Sequence, residues 1–235
     1  RVISKAVNTM TSVQGSLTQF ELPKNILVTG SSQAGKTFFV KNLLLHHEEM
    51  FKPQVNKIIY CFTIWQDKYE ELESSLGDLI EFRTDIPTKD ELVQIWQDTK
   101  GETLLVLDDK MTSLEDNAQG KAVVETVCVL CHHCHISCKI TLQNMYHASK
   151  AVREIGVNSQ YICLFRNNRS ARQIKMLASK TMPTQIPYFM ASYDLATAQN
   201  YGYLVVDLSA NIDNRYKLKT NIFPQDQTVI YMPKK

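Results

Sequence analysis

One stretch of this sequence, the octapeptide at residues 30–37, constrains the fold more than any other. It reads GSSQAGKT and has the spacing G-x4-G-K-T, which is typical of a loop that wraps around nucleotide phosphates. Its glycines allow the tight turn that aims successive backbone N–H groups at the phosphates. Lys36 is expected to reach the β and γ oxygens, and the Thr37 hydroxyl to bind Mg²⁺. The predicted nucleotide-binding residues are Gly30, Ser31, Ser32, Gln33, Ala34, Gly35, Lys36 and Thr37.

Such a loop needs a buried strand before it and a helix after it, and both flanks of this loop fit. Residues 25–29 (NILVT) are a short apolar run of the kind that forms a parallel strand covered on both faces. Residues 38–44 (FFVKNLL) continue with the apolar spacing of a helix. The N-terminus of that helix favours anions, because its N–H groups are unpaired and its dipole is positive there. The sequence therefore predicts a strand, a phosphate-binding loop and a helix in succession.

The rest of the chain alternates between apolar runs and helical patterns. This alternation predicts an α/β fold with a mostly parallel central sheet, flanking helices and ligands at the carboxyl ends of the strands. We expect a P-loop NTPase domain of the additional-strand, RecA-like type over residues 23–235, after an N-terminal linker or extension over residues 1–22. Strands are predicted at 25–29, 57–63, 79–83, 103–107, 137–143, 160–165, 202–208 and 216–223, and helices at 38–44, 66–75, 87–98, 118–130, 169–179 and 184–198.

Polar side chains that suit nucleotide hydrolysis follow two of the later apolar runs. Asp108 comes directly after residues 103–107 and fits the Walker B carboxylate, which supports Mg²⁺, usually through water. Asp109 can point toward the γ-phosphate and polarise the attacking water, and Gln143 can orient that water or sense the γ-phosphate. With Lys36, these two are the predicted catalytic residues. The alternatives are an ordinary strand end for the aspartates and the start of a loop for Gln143.

Basic residues in the second half of the chain are candidates for contacts with DNA or with a neighbouring subunit. Arg153 is a candidate for an arginine finger that reaches a neighbour's nucleotide. Four others lie three residues apart on one drifting side of a predicted helix and could grip phosphates or a neighbour: Arg166, Arg169, Arg172 and Lys175. The alternative for this set is a solvated charged face.

Four of the six cysteines have the C-x2-C-x2-C-x3-C spacing of iron–sulfur proteins: Cys128, Cys131, Cys134 and Cys138. The three histidines at 132, 133 and 135 could instead complete a zinc site with them. Against both, the run continues a helical pattern and then enters a predicted strand, and free cysteine behaves as a small buried hydrophobe. We expect reduced structural thiols at a helix-to-strand corner.

Composition narrows the class of protein further. The 235 residues suit one large α/β domain with a well-buried core. A net charge of +2 gives no general attraction to nucleic acid, so DNA contacts must come from local patches or from several subunits together. No apolar run has the length of a membrane span, and the first twenty residues lack the apolar stretch of a signal peptide. We expect an intracellular protein that does not bind a membrane.

Beyond the phosphate loop, the order of several motifs is distinctive. They are GSSQAGKTFFVKNLL, KIIYCF followed by Trp65 and Gln66, LLVLDDKM, HHCHIS leading into ITLQNMYH, NSQYICLFRNNRSARQI, GYLVVDL and LKTNIFP. Over residues 23–233 this order resembles the poxvirus-type genome-packaging ATPases of the FtsK/HerA group, particularly those of Polinton/Maverick elements, adintoviruses and virophages. The resemblance implies an ATP- and Mg²⁺-dependent motor that forms a homo-oligomeric ring and drives double-stranded DNA into a preformed viral capsid. It implies capsid or portal-vertex proteins as partners, and a location in the host nucleus, at a cytoplasmic viral assembly site or in the virion.

The chain departs from that family at two places. Val129 and Leu130 precede the paired histidines where relatives tend to carry a basic residue and a glycine, and residues 167–170 read NNRS where relatives have Asn-Pro-Arg-Asp. A degenerate remnant that binds DNA or nucleotide without hydrolysis is therefore one alternative. A P-loop kinase for nucleosides or other small molecules is the other. The paired aspartates and Gln143 favour activation of water over transfer to such an acceptor.

Overall fold

The structure is a computed structural model. It describes residues 7–11, 17–110, 117–143, 150–167 and 171–234.

Twelve strands are present in these residues. Their bounds are β1 Val7–Thr11, β2 Phe20–Glu21, β3 Ile26–Thr29, β4 Phe51–Lys52, β5 Val55–Cys61, β6 Ile80–Arg83, β7 Glu102–Leu107, β8 Ile136–Leu142, β9 Tyr161–Phe165, β10 Tyr203–Asp207, β11 Leu218–Thr220 and β12 Val229–Pro233. The α-helices are α1 Lys36–Leu45, α2 His47–Met50, α3 Lys68–Leu76, α4 Lys89–Thr99, α5 Asn117–Glu125, α6 Cys131–His133, α7 Lys150–Val157, α8 Ala171–Thr181 and α9 Ile186–Ala196.

Ten of the strands form one sheet in the order β1-β12-β11-β10-β9-β3-β8-β7-β5-β6. The six strands from β9 to β6 in that order pair in parallel. The remaining four continue the sheet from β9 with antiparallel pairing. The prediction of a mostly parallel central sheet is confirmed. Strand β8 lies between β3, which leads into the phosphate loop, and β7, which leads into Asp108, as an additional-strand arrangement requires.

The sheet is buried on both faces because its central strands are apolar throughout. All six residues of β7 and all five of β9 are buried. Alternate residues enter two separate cores, so that Leu27 of β3 packs in one and Ile26 and Val28 pack in the other. Helix α1 contributes Phe39 to the second core, whereas α8 and α9 pack against the first. Continuous apolar strands of this kind need helices on both sides, which is the predicted layer order.

The parallel strands all end at one edge of the sheet, which we call the carboxyl edge. Register fixes which strand ends are neighbours there. Thr29 of β3 pairs with Leu142 of β8, so the phosphate loop begins beside the end of β8. Leu107 of β7 pairs with Ile140, which places Asp108 beside Thr141, one residue before the end of β8.

Several predicted boundaries differ from the structure. The helix predicted at 118–130 is α-helical to Glu125 and continues as a π-helix over Thr126–Leu130. The Thr126 hydroxyl donates to the Ala122 carbonyl at 3.0 Å, a bond that competes with the regular backbone pattern of the helix. The strand predicted at 216–223 is shortened to Leu218–Thr220, because the Asp213 carboxylate accepts from the Arg215 N–H and begins a 3₁₀ turn.

Sequence patterns also missed strands β1, β2, β4 and β12 and helix α7. Strand β1 lies within the stretch 1–22 and pairs with β12 from Val7↔Pro233 to Thr11↔Val229, so this stretch contributes to the sheet as an extension. The domain boundary at residue 23 stays a prediction. Among the described residues, no helix is long and apolar enough to cross a membrane.

Candidate nucleotide-binding site

The phosphate loop is attached to both strands that flank β3. The Gly30 N–H donates to the carbonyl of Leu142 at the end of β8, at 3.3 Å. The next N–H, of Ser31, donates to the carbonyl of Arg166, directly after β9, at 3.3 Å. The loop therefore begins at the centre of the carboxyl edge, where the strand order reverses around β3 and ligands of α/β sheets bind.

The two glycines of the motif are required for different reasons. A Cβ atom on Gly30 would lie 2.5 Å from the Cβ of Phe165, so a side chain cannot fit between the loop and β9. Gly35 has φ of 102°, a left-handed conformation that side chains rarely adopt, and it is the residue at which helix α1 begins. This geometry turns the chain sharply and leaves the first N–H groups of α1 facing the loop.

The Lys36 side chain folds back over this loop. Its ammonium donates to the carbonyl of Gly30 at 2.9 Å and to that of Ser31 at 2.8 Å. Burial lowers the pKa of Lys36, and attraction by the carboxylates of Asp109 and Asp108 opposes that shift. The ammonium and both carboxylates therefore share one electrostatic environment at the carboxyl edge. The loop carbonyls hold the ammonium where phosphate oxygens can replace them as acceptors.

Asp108 is held by three side-chain hydroxyl groups. Its side chain is buried, with 3% exposure. One carboxylate oxygen accepts from Tyr60 at 2.7 Å and from Tyr69 at 3.3 Å, and the other accepts from Thr141 at 2.8 Å. Burial, and next the negative charge of Asp108, raise the pKa of both tyrosines, so both phenols remain protonated donors. The carboxylate is fixed in orientation and is paired rather than left as an isolated buried charge.

Asp109 differs from Asp108 in exposure and in backbone conformation. It is exposed and has φ of 54°, in the left-handed region that aspartate tolerates better than most residues. Its N–H donates to the Thr141 hydroxyl at 3.0 Å, and its carbonyl accepts from Thr63 at 3.1 Å. The backbone is thus fixed on both sides while the carboxylate faces solvent. An uncommon backbone conformation at the end of a central strand is a feature of functional sites.

Three residues of this arrangement were not predicted from the sequence: Tyr60, Tyr69 and Thr141. Thr141 touches both aspartates and is the next-to-last residue of β8. The available signal was a hydroxyl near the end of the strand pattern, but only the register of β7 against β8 shows what Thr141 contacts.

The donor set can be compared with what Mg²⁺ requires. This ion prefers oxygen ligands, keeps several waters, and is usually held by one or two carboxylates together with substrate phosphates. Thr37, at the start of α1, offers a hydroxyl oxygen, and Asp108 offers carboxylate oxygens at the end of β7, which is separated from β3 by β8. Within the described ranges no three His, Cys, Asp or Glu side chains are grouped to hold a metal by themselves. The oxygen donors fit a magnesium ion that is bound together with a nucleotide.

Three other predicted site residues, Gln143, Arg166 and Arg153, are all exposed. Gln143 is exposed directly after β8, and its carbonyl accepts from the Asn167 side chain at 3.4 Å, across the end of β3 at which the phosphate loop starts. Arg166 is exposed at the carboxyl edge next to the loop. Arg153 is exposed on α7.

The predicted basic helix face is seen only in part. Arg172 and Lys175 are exposed on α8, whose opposite face buries Ile174 and Leu177. Arg169 lies outside the described residues. Arg166 follows β9 directly and does not lie on α8, so the predicted helix face does not include it. Contacts of these residues with DNA or a neighbouring subunit stay predictions.

The four clustered cysteines do not share one environment. Cys131, Cys134 and Cys138 are buried, whereas Cys128 is exposed, and all four are free thiols. Burial raises the pKa of Cys131 to about 12 and that of Cys138 well above its usual value. Buried protonated thiols on the corner from the π-helix through α6 into β8 have the character of core side chains.

The topology and the loop geometry together define a P-loop NTPase fold. A strand, a glycine-containing phosphate loop and a helix lie at the centre of a mostly parallel sheet, with a second strand ending in aspartates at the same edge. A scan against protein-family models finds no match, and a search of curated proteins finds none either.

Solved structures with the same fold include a viral packaging enzyme. The genome-packaging NTPase B204 of Sulfolobus turreted icosahedral virus 2, in complex with ATPγS, is 16% identical with a TM-score of 0.55, over 84% of this chain and 96% of B204. The DNA-packaging ATPase B204 of Sulfolobus turreted icosahedral virus is 14% identical with a TM-score of 0.55, over 86% of this chain and 98% of that one. At these identities the similarity establishes the fold.

Proposed function

We propose that the protein is a Mg²⁺-dependent ATPase that translocates double-stranded DNA into a preformed viral capsid. The observation that carries the ATPase part is the meeting of Lys36, Asp108 and Asp109 around one phosphate loop at the carboxyl edge. The packaging part is supported by the motif order of the sequence and by the similarity in fold to B204, a genome-packaging NTPase.

Different residues of the site bind the phosphates and the metal ion. The backbone N–H groups of residues 30–37 and the start of α1 bind the phosphates, and the Lys36 ammonium exchanges its two carbonyl acceptors for phosphate oxygens. Bound Mg²⁺ would neutralise charge on the β and γ oxygens, with Thr37 and Asp108 as the residues that hold it. Tyr60, Tyr69 and Thr141 keep the Asp108 carboxylate in one orientation.

Asp109 is the residue that we propose to orient the attacking water. Its backbone is fixed by Thr141 and Thr63, while its exposed carboxylate can accept a hydrogen bond from a water molecule at the carboxyl edge. Gln143, at the next strand end, can add a second polar contact to that water or to the γ-phosphate. Phosphoryl transfer depends mainly on such positioning and on electrostatic stabilisation, which these fixed groups supply.

The coupling to DNA requires further contacts. We propose that a homo-oligomeric ring encloses the duplex, with Arg153 as the candidate finger toward a neighbour's nucleotide. Arg166, Arg169, Arg172 and Lys175 are the candidate contacts to DNA phosphates or to the adjacent subunit. Capsid or portal-vertex proteins would be the partners that receive the motor, in the nucleus of the host, at a cytoplasmic assembly site or in the virion.

ATP turnover with and without double-stranded DNA tests this proposal. We expect the protein to release phosphate from Mg-ATP, duplex DNA to increase the rate, and Lys36→Ala to abolish it. Lys41→Ala is a matched control, because Lys41 lies on the same helix and pairs with Glu71 away from the loop. Binding of ATP without turnover would favour the non-hydrolysing remnant, and phosphate transfer to a nucleoside would favour a kinase.

A further inference from the structure

A cavity of about 500 Å³ lies directly beside the phosphate loop. It begins at Gly35, the last glycine of the loop. Its walls are the start of α1, the end of α9, the turn before β10 and the turn after β11. Its lining includes Gly35, Phe38, Leu195, Tyr201, Asn221 and Asp226. None of these residues except Gly35 has a role in phosphate binding.

Two aromatic side chains at this cavity are largely exposed. Phe38, one residue after Thr37, is 58% exposed, and Tyr201 is 64% exposed. Their ring centroids are 6.4 Å apart and their planes are tilted by 36°. A Cβ atom on Gly35 would lie 2.8 Å from the Tyr201 ring, so the tyrosine rests directly on the backbone of the phosphate loop. Neighbouring exposed aromatic surface next to a phosphate site is suited to a flat, uncharged ligand group.

We propose that this cavity, which we call the aromatic pocket, binds the base of the nucleotide whose phosphates lie on the loop. This inference rests on the proposed function of the loop. The Phe38 and Tyr201 rings, with centroids 6.4 Å apart, lie within the range of aromatic rings that contact each other, and both are largely exposed. A base can therefore stack on the aromatic surface that the two rings offer beside the phosphate loop.

The charge and polarity of the pocket agree with a base and disagree with phosphate. Within the described part of the chain, no Lys or Arg lines the cavity, so the triphosphate has no counter-charge there. Amide side chains and one carboxylate supply donors and acceptors for the edge of a base: Asn200, Asn221, Gln225 and Asp226.

The test compares a ligand that has a base with one that lacks it. The affinities of ATP and of inorganic tripolyphosphate, both with Mg²⁺, are measured by calorimetry for the full chain and for Tyr201→Ala. Loss of one stacking partner should weaken ATP binding about 5- to 150-fold and leave tripolyphosphate unchanged. Tyr201→Phe should retain the affinity of the wild type, since stacking does not need the hydroxyl group.

Two further variants control for indirect effects of the Tyr201→Ala substitution. Phe38→Ala repeats it at an exposed position on α1, in case Tyr201→Ala disturbs Gly35. Tyr216→Ala is the matched control, because Tyr216 lies in the 3₁₀ turn between β10 and β11, at the opposite edge of the sheet, and should change neither affinity. Thermal melting confirms that each variant is folded.

The outcomes separate this inference from the proposed function. Equal affinity of Tyr201→Ala, Phe38→Ala and wild type for ATP would overturn the aromatic pocket while leaving ATP binding by the loop intact. The same holds if wild type binds ATP no more tightly than tripolyphosphate. Failure of the wild type to bind either ligand would overturn the proposed function, and the pocket with it.

Discussion

Replacing Thr141 with valine tests whether the hydroxyl groups that donate to the Asp108 carboxylate support catalysis. Valine has nearly the same shape but no hydroxyl group, so the packing of β8 is retained. The variant loses the donor to the Asp108 carboxylate, at 2.8 Å, and the acceptor for the Asp109 N–H, at 3.0 Å. Both aspartates therefore lose a positioning contact at once, while Lys36 and the phosphate loop are untouched.

The expected loss of stability follows from these two contacts. A hydrogen bond to a buried charged group contributes about 1.5–3 kcal/mol, and an ordinary one about 1 kcal/mol. The free energy of unfolding should therefore fall by about 2–4 kcal/mol, with the Asp108 contact as the larger part. For a chain of this size each kcal/mol corresponds to about 2–4 °C, so we expect the Tm to fall by about 5–15 °C.

The effect on catalysis is measured as steady-state ATP turnover at a temperature where the variant remains folded. Loss of an outer contact that orients a metal-binding carboxylate typically costs about 10- to 100-fold in activity, and we expect kcat to fall by that amount. Calorimetric affinity for ATP should change little, because the phosphate loop keeps all its contacts.

Thr103→Val is the matched control. Thr103 is a buried strand residue on β7, at the edge opposite the site, and its hydroxyl has no hydrogen-bond partner among the described residues. Its replacement should leave kcat unchanged and stability unchanged or slightly higher. Wild-type kcat and Tm in Thr141→Val, or an equal loss of both in Thr103→Val, would rule out this role of the Thr141 hydroxyl.

Three further predictions concern the loop, the core and the cysteines. Gly30→Ala should lose ATP binding in calorimetry, because its Cβ would lie 2.5 Å from the Cβ of Phe165 and the loop must shift; wild-type affinity would contradict this. Lys139→Met should raise the free energy of unfolding in urea by about 1–3 kcal/mol, because the Lys139 ammonium is fully buried without a hydrogen-bond partner among the described residues, 3.8 Å from the centre of the Phe51 ring. Burial lowers the pKa of Lys139 well below 10.5 in the folded protein, so the unfolded chain binds the proton of Lys139 more tightly than the folded protein does. The free energy of unfolding of the wild type should therefore rise with pH up to about 10.5. Lys139→Met should lack this dependence on pH, and an equal dependence in the variant would contradict the assignment to Lys139. A thiol reagent should modify Cys128 first in the native protein and all six cysteines after unfolding, and rapid native reaction at several cysteines would contradict the described burial.

The phosphate loop and the aspartates could be predicted because their signals are local. The motif fixes its own backbone geometry, and residues 103–107 are apolar enough to indicate a buried strand without knowledge of its neighbours. Lys36, Asp108 and Asp109 meet at the carboxyl edge because parallel strands end together, which the α/β pattern already implies.

The contacts that hold these groups depend on pairing between distant strands. Thr141 reaches Asp108 only because Leu107 pairs with Ile140, and a shift of one residue would turn its side chain to the other face. Tyr60 and Tyr69 contact Asp108 from β5 and α3, which no local pattern relates to β7. Prediction from single segments cannot supply such a register.

Strands β1 and β12 of the antiparallel part of the sheet were missed, and β11 was predicted with the wrong bounds, for a related reason. Strand β12 is only partly buried, and β11 has three residues, so neither has the continuous apolar pattern of the central strands. Helix α7 was missed because its eight residues form only about two turns, which is too short for a clear helical pattern in the sequence. The pairing of β10 with β9 nevertheless matters to the site, since the turn before β10 places Tyr201 beside Gly35.

In the proposed mechanism, this site hydrolyses ATP with Asp109 as the residue that positions the water. Asp109→Asn keeps the size of the side chain and removes its charge, so ATP affinity and phosphate release can be measured separately on one variant. We expect ATP affinity to remain within about twofold of the wild type and the rate of phosphate release to fall about 10²- to 10⁴-fold. Phosphate release from Asp109→Asn at the rate of an active wild type, or no release from the wild type itself, would contradict the account.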